Sequence, residues 1–132
     1  AASLVAALLL TMPQKPERDA LSLALDTTPS LKQVRLADGR MIEPTLTVRS
    51  GDGRWCREFR SNGETSLACR GDQGWTIEAS AKGSGPADGG EIGLAGGGDS
   101  AALAGAYQRI EASDPLGVDQ EAALIAKGWG ER

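Results

Sequence analysis

The sequence contains no histidine in its 132 residues. This absence excludes Ser-His-Asp and Cys-His catalysis, because both use imidazole as the general base. It also excludes most zinc sites, since only two cysteines remain as soft ligands. No two carboxylates are placed in a pattern that suggests acid–base catalysis. We therefore expect a protein that is not an enzyme and that uses neither a metal nor a cofactor.

Aromatic residues are scarce, and positive charge is outweighed by negative charge. There are three Trp, one Tyr and one Phe, and 14 Lys and Arg stand against 18 Asp and Glu, for a net charge of -4. An acidic surface repels phosphate, so we expect no nucleic-acid partner and no docking on an anionic membrane face. The length suits one domain with a modest core.

Long hydrophobic runs are also lacking, although the sequence opens with a short one. Residues 1–10, AASLVAALLL, are apolar except for Ser3, but a membrane-spanning helix needs about 20 residues. The first residue is Ala rather than Met. One interpretation is the end of a transmembrane helix or of a signal-peptide apolar region, and the other is a short buried helix. We expect the first, with residues 1–19 as an N-terminal helical segment ahead of an extracytoplasmic domain over residues 20–132.

Helical patterns lie at both ends of this domain. Leucines and alanines over residues 17–25 predict a helix, and apolar residues at helical spacing predict another over residues 99–112. A last short helix is predicted over residues 120–127, ending at Gly128. We expect Trp129, just beyond that helix, to anchor it to the core.

A glycine-rich segment separates the middle of the domain from its last two helices. Residues 83–98 contain so many glycines that ordering them would cost much conformational entropy. No Lys-Ser/Thr pair follows the glycines, so they do not form a phosphate-binding loop. We predict a flexible loop there.

Residues 31–80 carry the pattern of β-structure. Short runs rich in Val, Ile, Thr and aromatic residues alternate with turn signals such as Asn62-Gly63. Each connection is too short for a parallel crossover, so consecutive strands must be antiparallel. We expect an α+β fold: an antiparallel β-meander of about four to six strands, with one cross-strand disulfide and flanking N- and C-terminal helices.

The disulfide follows from the register of one hairpin. Asn62-Gly63 is a strong signal for a two-residue type I′ turn. If these two residues form the turn, Cys56 lies directly opposite Cys69 at a non-hydrogen-bonded pair, where Cα atoms come within about 4.5 Å, which a disulfide can bridge. Two reduced, buried thiols are the alternative. We expect the disulfide, and hence an oxidising compartment.

The same register sorts the hairpin into two faces. Trp55 and Phe59 share one face, and Trp75 and Ile77 are expected to complete a core layer there. Leu46 and Val48 are expected to join that layer, whereas Cys56, Glu58 and Arg60 take the other face. An antiparallel sheet with one wetter side has this alternation.

Arginines cluster around the hairpin. Arg57 and Arg70 point toward the core layer, so we expect their stems to lie along it with the charges at its rim. Together with Arg60 they are candidates for an anion or partner contact. The alternative, which we favour, is a solvated basic surface that protects the sheet edges.

The hairpin block WCREFRSNGETSLACRGDQGWTIE (55–78) resembles two groups of bacterial envelope proteins. One is the extracytoplasmic part of transmembrane anti-sigma factors, and the other is the seventeen-kilodalton surface antigen family of outer-membrane lipoproteins. Three further segments are more similar to the first group: LALDTTPS (23–30), DGRMIEPTLTVRSGDGRWCREF (38–59) and EAALIAKGW (121–129). The resemblance covers roughly residues 20–80 and the last helix. It departs at Leu31, where glycine is expected close behind the Thr-Pro-Ser turn.

The resemblance implies a periplasmic sensor or regulatory domain of a membrane-bound anti-sigma factor. Such a protein lies in the bacterial inner membrane, acts in signal transduction and transcription regulation, and meets an envelope protein or a protease through this domain. It would bind its sigma factor only through a cytoplasmic segment that this sequence does not include. The alternative is a surface antigen or envelope structural protein at the outer membrane or cell surface.

Overall fold

A computed structural model describes residues 19–82 and 98–130, which form one five-stranded sheet with helices packed on both faces. The elements in chain order are α1 (Ala20–Thr27), β1 (Val34–Arg35), β2 (Met41–Arg49), β3 (Trp55–Ser61), β4 (Glu64–Gly71), β5 (Gly74–Lys82), α2 (Gly98–Ile110) and α3 (Val118–Ala126). The spatial order of the strands is β1-β2-β3-β4-β5 and every pair is antiparallel. The predicted α+β meander with flanking helices is therefore confirmed.

The predictions for residues 1–18 and for residues 83–97 of the glycine-rich loop lie outside the described residues. Gly98 was assigned to that loop, but it is the first residue of α2. Within residues 19–82 and 98–130, no helix has the length and apolar character needed to cross a membrane.

The central hairpin has the register that the Asn62-Gly63 turn predicts. Both turn residues have positive φ, 52° and 77°, as a type I′ turn requires. Ser61 pairs with Glu64, and Cys56 pairs with Cys69. The two cysteines form the predicted disulfide, with 3.9 Å between their Cα atoms.

The sheet has a buried layer on each face. The first face carries Phe59, Ala68 and Trp75, and it is covered by side chains from α1 and α3. The second face carries the disulfide, and it is covered by Ala106 and Ile110 of α2. The prediction of one core layer with a wetter opposite side is thus wrong, because α2 closes the second face.

Two residues assigned to the Trp55 layer lie on the opposite face. In β2, Leu46 pairs with Glu58 and Val48 pairs with Cys56. Cross-strand partners share a face, so both belong with the disulfide. The turn between β2 and β3 sets this register, because it places Arg49 opposite Trp55.

Trp55, Phe59, Trp75 and Ile77 were all expected in the core layer. Phe59 and Trp75 are buried within it, and Trp55 packs against it. Ile77 is 48 % exposed, which corrects its assignment to the core. It lies on β5, an edge strand, where helices cover the first face only partly.

The chain reaches the sheet from α1 through a turn that ends at Leu31. Its backbone is left-handed, with φ 72°, although a Cβ disfavours that conformation. Its amide donates a 2.7 Å hydrogen bond to the carbonyl of Pro44, which fixes the conformation. The expectation of glycine near this point therefore has a physical basis in the backbone.

Candidate functional site

Arg57 lies at the centre of a polar network inside the first face. Its position on β3 places it between Trp55 and Phe59, and its side chain is completely buried. Its Nη1 donates to the carbonyl of Leu25 at 2.6 Å, and its Nε donates to Thr47 Oγ1 at 2.9 Å. The charge is therefore not at the rim of the layer, which corrects the sequence prediction.

The counter-charge comes from Glu121 in the first turn of α3. Arg57 Nη2 lies 3.1 Å from Glu121 Oε2, and the same carboxylate accepts from Thr47 Oγ1 at 2.7 Å. Ser30 adds two donors, its amide at 2.8 Å and its hydroxyl at 2.6 Å. We call Ser30, Thr47, Arg57, Glu121 and the Leu25 carbonyl the Arg57 network.

Burial and hydrogen bonding oppose each other at this ion pair. Burial acts to raise the pKa of Glu121, but the hydrogen bonds from Ser30 and Thr47 and the charge of Arg57 outweigh it and lower that pKa. Burial lowers the pKa of Arg57, opposed by the charge of Glu121, and a guanidinium remains protonated in proteins. Both partners are thus ionised at neutral pH.

A second ion pair connects α1 to the far side of the hairpin. Asp26 Oδ1 accepts from Arg70 Nε at 3.0 Å and from the Trp75 indole at 2.8 Å. The carbonyl of Asp26 accepts from the Trp129 indole at 2.9 Å. Asp26 therefore links α1 to β4, to β5 and to the segment after α3.

The three tryptophans meet at this point, and we call Trp55, Trp75 and Trp129 the tryptophan cluster. Trp129 packs edge-on against Trp75 at 5.3 Å and against Trp55 at 6.3 Å between ring centroids. Arg57 lies over the Trp129 ring at 5.6 Å. Trp129 is 4 % exposed, which confirms its predicted role as an anchor onto the core.

This arrangement is suited to holding elements together rather than to moving protons. The Glu121 carboxylate accepts four hydrogen bonds from Ser30, Thr47 and Arg57, so its lone pairs face donors of the chain itself. A general base needs a lone pair directed at a substrate. In residues 19–82 and 98–130, no group of three or more Cys, Asp or Glu side chains could hold a metal ion.

The predicted arginine group is divided by the structure. Arg57 is inside the network and Arg70 pairs with Asp26, whereas Arg60 lies on the second face, 3.7 Å from Glu43 and 39 % exposed. The three do not form one anion site. Each guanidinium instead has a carboxylate of its own.

Sequence reasoning missed the partners of these arginines. Glu121 stands in the first turn of α3, where an acidic residue is explained by the helix dipole alone, so no local signal marks it as an internal counter-ion. Asp26 is the penultimate residue of α1, and the Thr-Thr-Pro sequence that follows gives it the appearance of a turn residue. Only the assembled sheet shows that Glu121 lies against the buried Arg57 and that Asp26 lies against the partly exposed Arg70.

Comparison of this chain with protein-family models, with curated proteins and with solved structures finds no match in any of the three.

Proposed function

We propose that this chain is the extracytoplasmic regulatory domain of a membrane-bound anti-sigma factor, and that it acts by binding rather than by catalysis. One observation carries the proposal. The three segments on which the resemblance rests are far apart in the sequence, and they meet in the Arg57 network and the tryptophan cluster.

Each segment supplies a buried contact to the others. LALDTTPS provides the Leu25 carbonyl, Asp26 and Ser30, and the Cys-Arg-Glu-Phe block provides Arg57. EAALIAKGW provides Glu121 and Trp129. Residues that share one buried network are constrained together, so a resemblance in all three segments supports a shared structural device rather than three unrelated short matches.

The device suits a regulator that responds to an envelope signal. α1 is held by charge-assisted hydrogen bonds from Arg57 of β3 and Arg70 of β4. The indole of Trp129, in the segment after α3, adds a neutral hydrogen bond to the carbonyl of Asp26. A partner or protease that displaces α3 would leave Arg57 without its counter-ion, which is a large change in free energy. Displacement of α3 would also remove the Trp129 bond to Asp26, and would therefore weaken the attachment of α1 to the sheet.

The test is genetic and uses the full-length protein. Residues 31–132 are deleted, and transcription is followed from a promoter that depends on the sigma factor encoded with it. We expect a changed basal level or a lost response to envelope stress. A second strain carries Glu121→Gln, with Asp119→Asn as control, an exposed acid in the same helix. We expect only the first substitution to change transcription.

The alternative, a surface antigen or envelope structural protein, predicts a different result. If no sigma factor is encoded nearby and transcription is indifferent to the deletion, the regulatory proposal is wrong and the surface-antigen alternative replaces it. Lipid modification of the mature protein and its recovery in the outer-membrane fraction would support that alternative directly.

A further inference from the structure

Arginine and tryptophan alternate across the sheet at the end where β2 meets β3. Arg49 pairs with Trp55, and Arg70 pairs with Trp75. The pairing of Cys56 with Cys69, continued by one residue, places Trp55 beside Arg70. The row on the first face is therefore Arg49, Trp55, Arg70 and Trp75, in spatial order.

An open groove of about 730 Å³ lies over this row, and we call it the Arg49 groove. Its lining includes Arg49, Trp55, Arg70, Trp129 and two aspartates from adjacent turns, Asp52 and Asp72. Ligand sites of proteins have volumes of about 300–1,000 Å³, so the groove is large enough for several residues of a peptide.

Arg49 is held in place without an acidic partner. Its guanidinium lies over the Trp55 ring at 4.6 Å from the centroid, and its Nε donates to the carbonyl of Gly53 at 3.1 Å. No carboxylate of the described residues lies in salt-bridge distance of it. A guanidinium has five N–H donors, so both Nη atoms of Arg49 can bind an anion at little entropic cost.

Arg70 is the second cation of the groove. Its Nε donates a hydrogen bond to Asp26 Oδ1, and its side chain is 27 % exposed. Arg49 and Arg70 are two strands apart, or about 10 Å between their backbones, and both side chains are long enough to reach one carboxylate between them. Arg54, by contrast, is paired with Asp52 and Glu78.

We propose that the Arg49 groove binds an acidic side chain of an extended peptide, with its carboxylate held between Arg49 and Arg70. The binding site is argued from the groove alone and does not depend on the proposed regulatory function. Under that function, the envelope partner would present an acidic, extended segment to the groove. The groove lining also includes Trp129 and Gly130, so a bound peptide would contact the segment that follows α3.

Other anions fit less well. A sugar acid would stack on an open aromatic face, but Arg49 covers Trp55 and Trp129 is 4 % exposed. A phosphate dianion would bring a second negative charge to a groove that already contains Asp52, which is 63 % exposed, and Asp72.

The binding test uses isothermal titration calorimetry with the whole chain. The probe is the blocked hexapeptide acetyl-Gly-Glu-Gly-Glu-Gly-Glu-amide, and its glutamine counterpart is the control. We expect the glutamate peptide to bind and added salt to weaken it, because exposed charges are screened. Oligogalacturonate and inorganic phosphate should bind more weakly than the peptide.

Variants of Arg49 decide the assignment. Arg49→Gln should weaken binding by about tenfold or more, because a charge-assisted bond is lost, and Arg49→Lys should recover part of it. Arg40→Gln, at an exposed arginine paired with Asp38, should change nothing. Equal binding of the glutamine peptide, an unchanged affinity in both Arg49 variants, tighter binding of oligogalacturonate, or no binding at millimolar peptide would each overturn the proposal.

Discussion

Arg57 and Glu121 are 64 positions apart in the sequence, and their side chains meet at 3.1 Å in the interior of the domain. Breaking a buried ion pair leaves one charge uncompensated, whereas replacing both partners by apolar residues is often tolerated. We therefore expect the ion pair to fix the position of α3 on the sheet, while contributing little net free energy compared with a pair of apolar residues. This asymmetry is measurable.

We expect Glu121→Gln to lower the free energy of unfolding by about 3–5 kcal/mol, the usual loss when one partner of a buried ion pair is removed. The double variant Arg57→Met with Glu121→Met should lose less than the sum of the single variants. Urea unfolding at neutral pH measures Glu121→Gln, the double variant and its two single variants, Arg57→Met and Glu121→Met. Arg40→Gln, in an exposed pair, should cost about 1 kcal/mol or less. Additive losses at Arg57 and Glu121 would show that the two charges are not coupled.

Acid should weaken the domain partly through Glu121. Its pKa is lowered in the fold from the ordinary value of 4.5, so the unfolded chain binds more protons near that pH. The stability contributed by the ionised Glu121 is complete above pH 4.5, and it is lost as the pH falls through the lower pKa that Glu121 has in the folded state. The difference in urea midpoint between the native chain and Glu121→Gln should therefore narrow on acidification, and a constant difference would contradict this reasoning.

Leu31→Gly should stabilise the domain. Leu31 is 69 % exposed and has φ 72°, so glycine removes backbone strain of about 1–2 kcal/mol and little buried surface. The greater conformational freedom of glycine in the unfolded chain lowers the free energy of unfolding by about 0.5–1 kcal/mol, which offsets part of that gain. We expect a small rise in Tm by calorimetry. Leu31→Ala keeps the Cβ and should give no rise, and a lower Tm for the glycine variant would refute the account.

Tyr107 should resist ionisation at alkaline pH. Burial raises its pKa, and the 2.6 Å hydrogen bond that its hydroxyl donates to Glu58 raises it further. It is the single tyrosine of the chain, so the phenolate band in the ultraviolet spectrum reports its ionisation alone. The stability that the protonated, buried Tyr107 side chain contributes is complete below the usual tyrosine pKa of about 10, and it is lost as the pH rises above that value. Phenolate absorbance should appear only with unfolding, and ionisation near pH 10 in the folded protein would be the contrary result.

The disulfide should be closed to reductants in the native state. Cys56 and Cys69 are 0 % and 1 % exposed, beneath α2, and thiol exchange needs direct attack on a sulfur atom. The rate of disulfide reduction by dithiothreitol, measured by mass spectrometry of acid-quenched samples, should follow the fraction of unfolded protein as urea is added. Rapid reduction without urea would mean that α2 opens independently of the sheet. Mass spectrometry of unreduced tryptic peptides tests the Cys56–Cys69 bond itself.

The sequence predicted those features that depend on local chemistry. The Asn62-Gly63 turn determines a register, and that register alone places Cys56 opposite Cys69. The cover of the second face was not predictable in the same way, because α2 follows a segment without any pattern that shows where it packs. Ile77 illustrates the same limit, since strand periodicity gives its face but not whether a helix reaches the edge strand.

The site could be predicted less completely than the fold. The sequence predicts the correct face for Arg57, but the burial of Arg57 depends on Glu121 and the Leu25 carbonyl, which lie in other segments of the chain. A buried charge is a property of three-dimensional neighbours. Short-range patterns describe Arg57 equally well as a surface residue, so only the assembled sheet distinguishes the two.

All three tryptophans of the chain belong to the tryptophan cluster, and none lies elsewhere to give a background signal. Indole rings at 5–6 Å exchange excitation energy, so their emission and near-ultraviolet circular dichroism reflect the cluster as a unit. Withdrawal of Trp129 would change both signals at once. The protein thus has a built-in optical probe for the position of α3, and its release could be followed in real time without an added label.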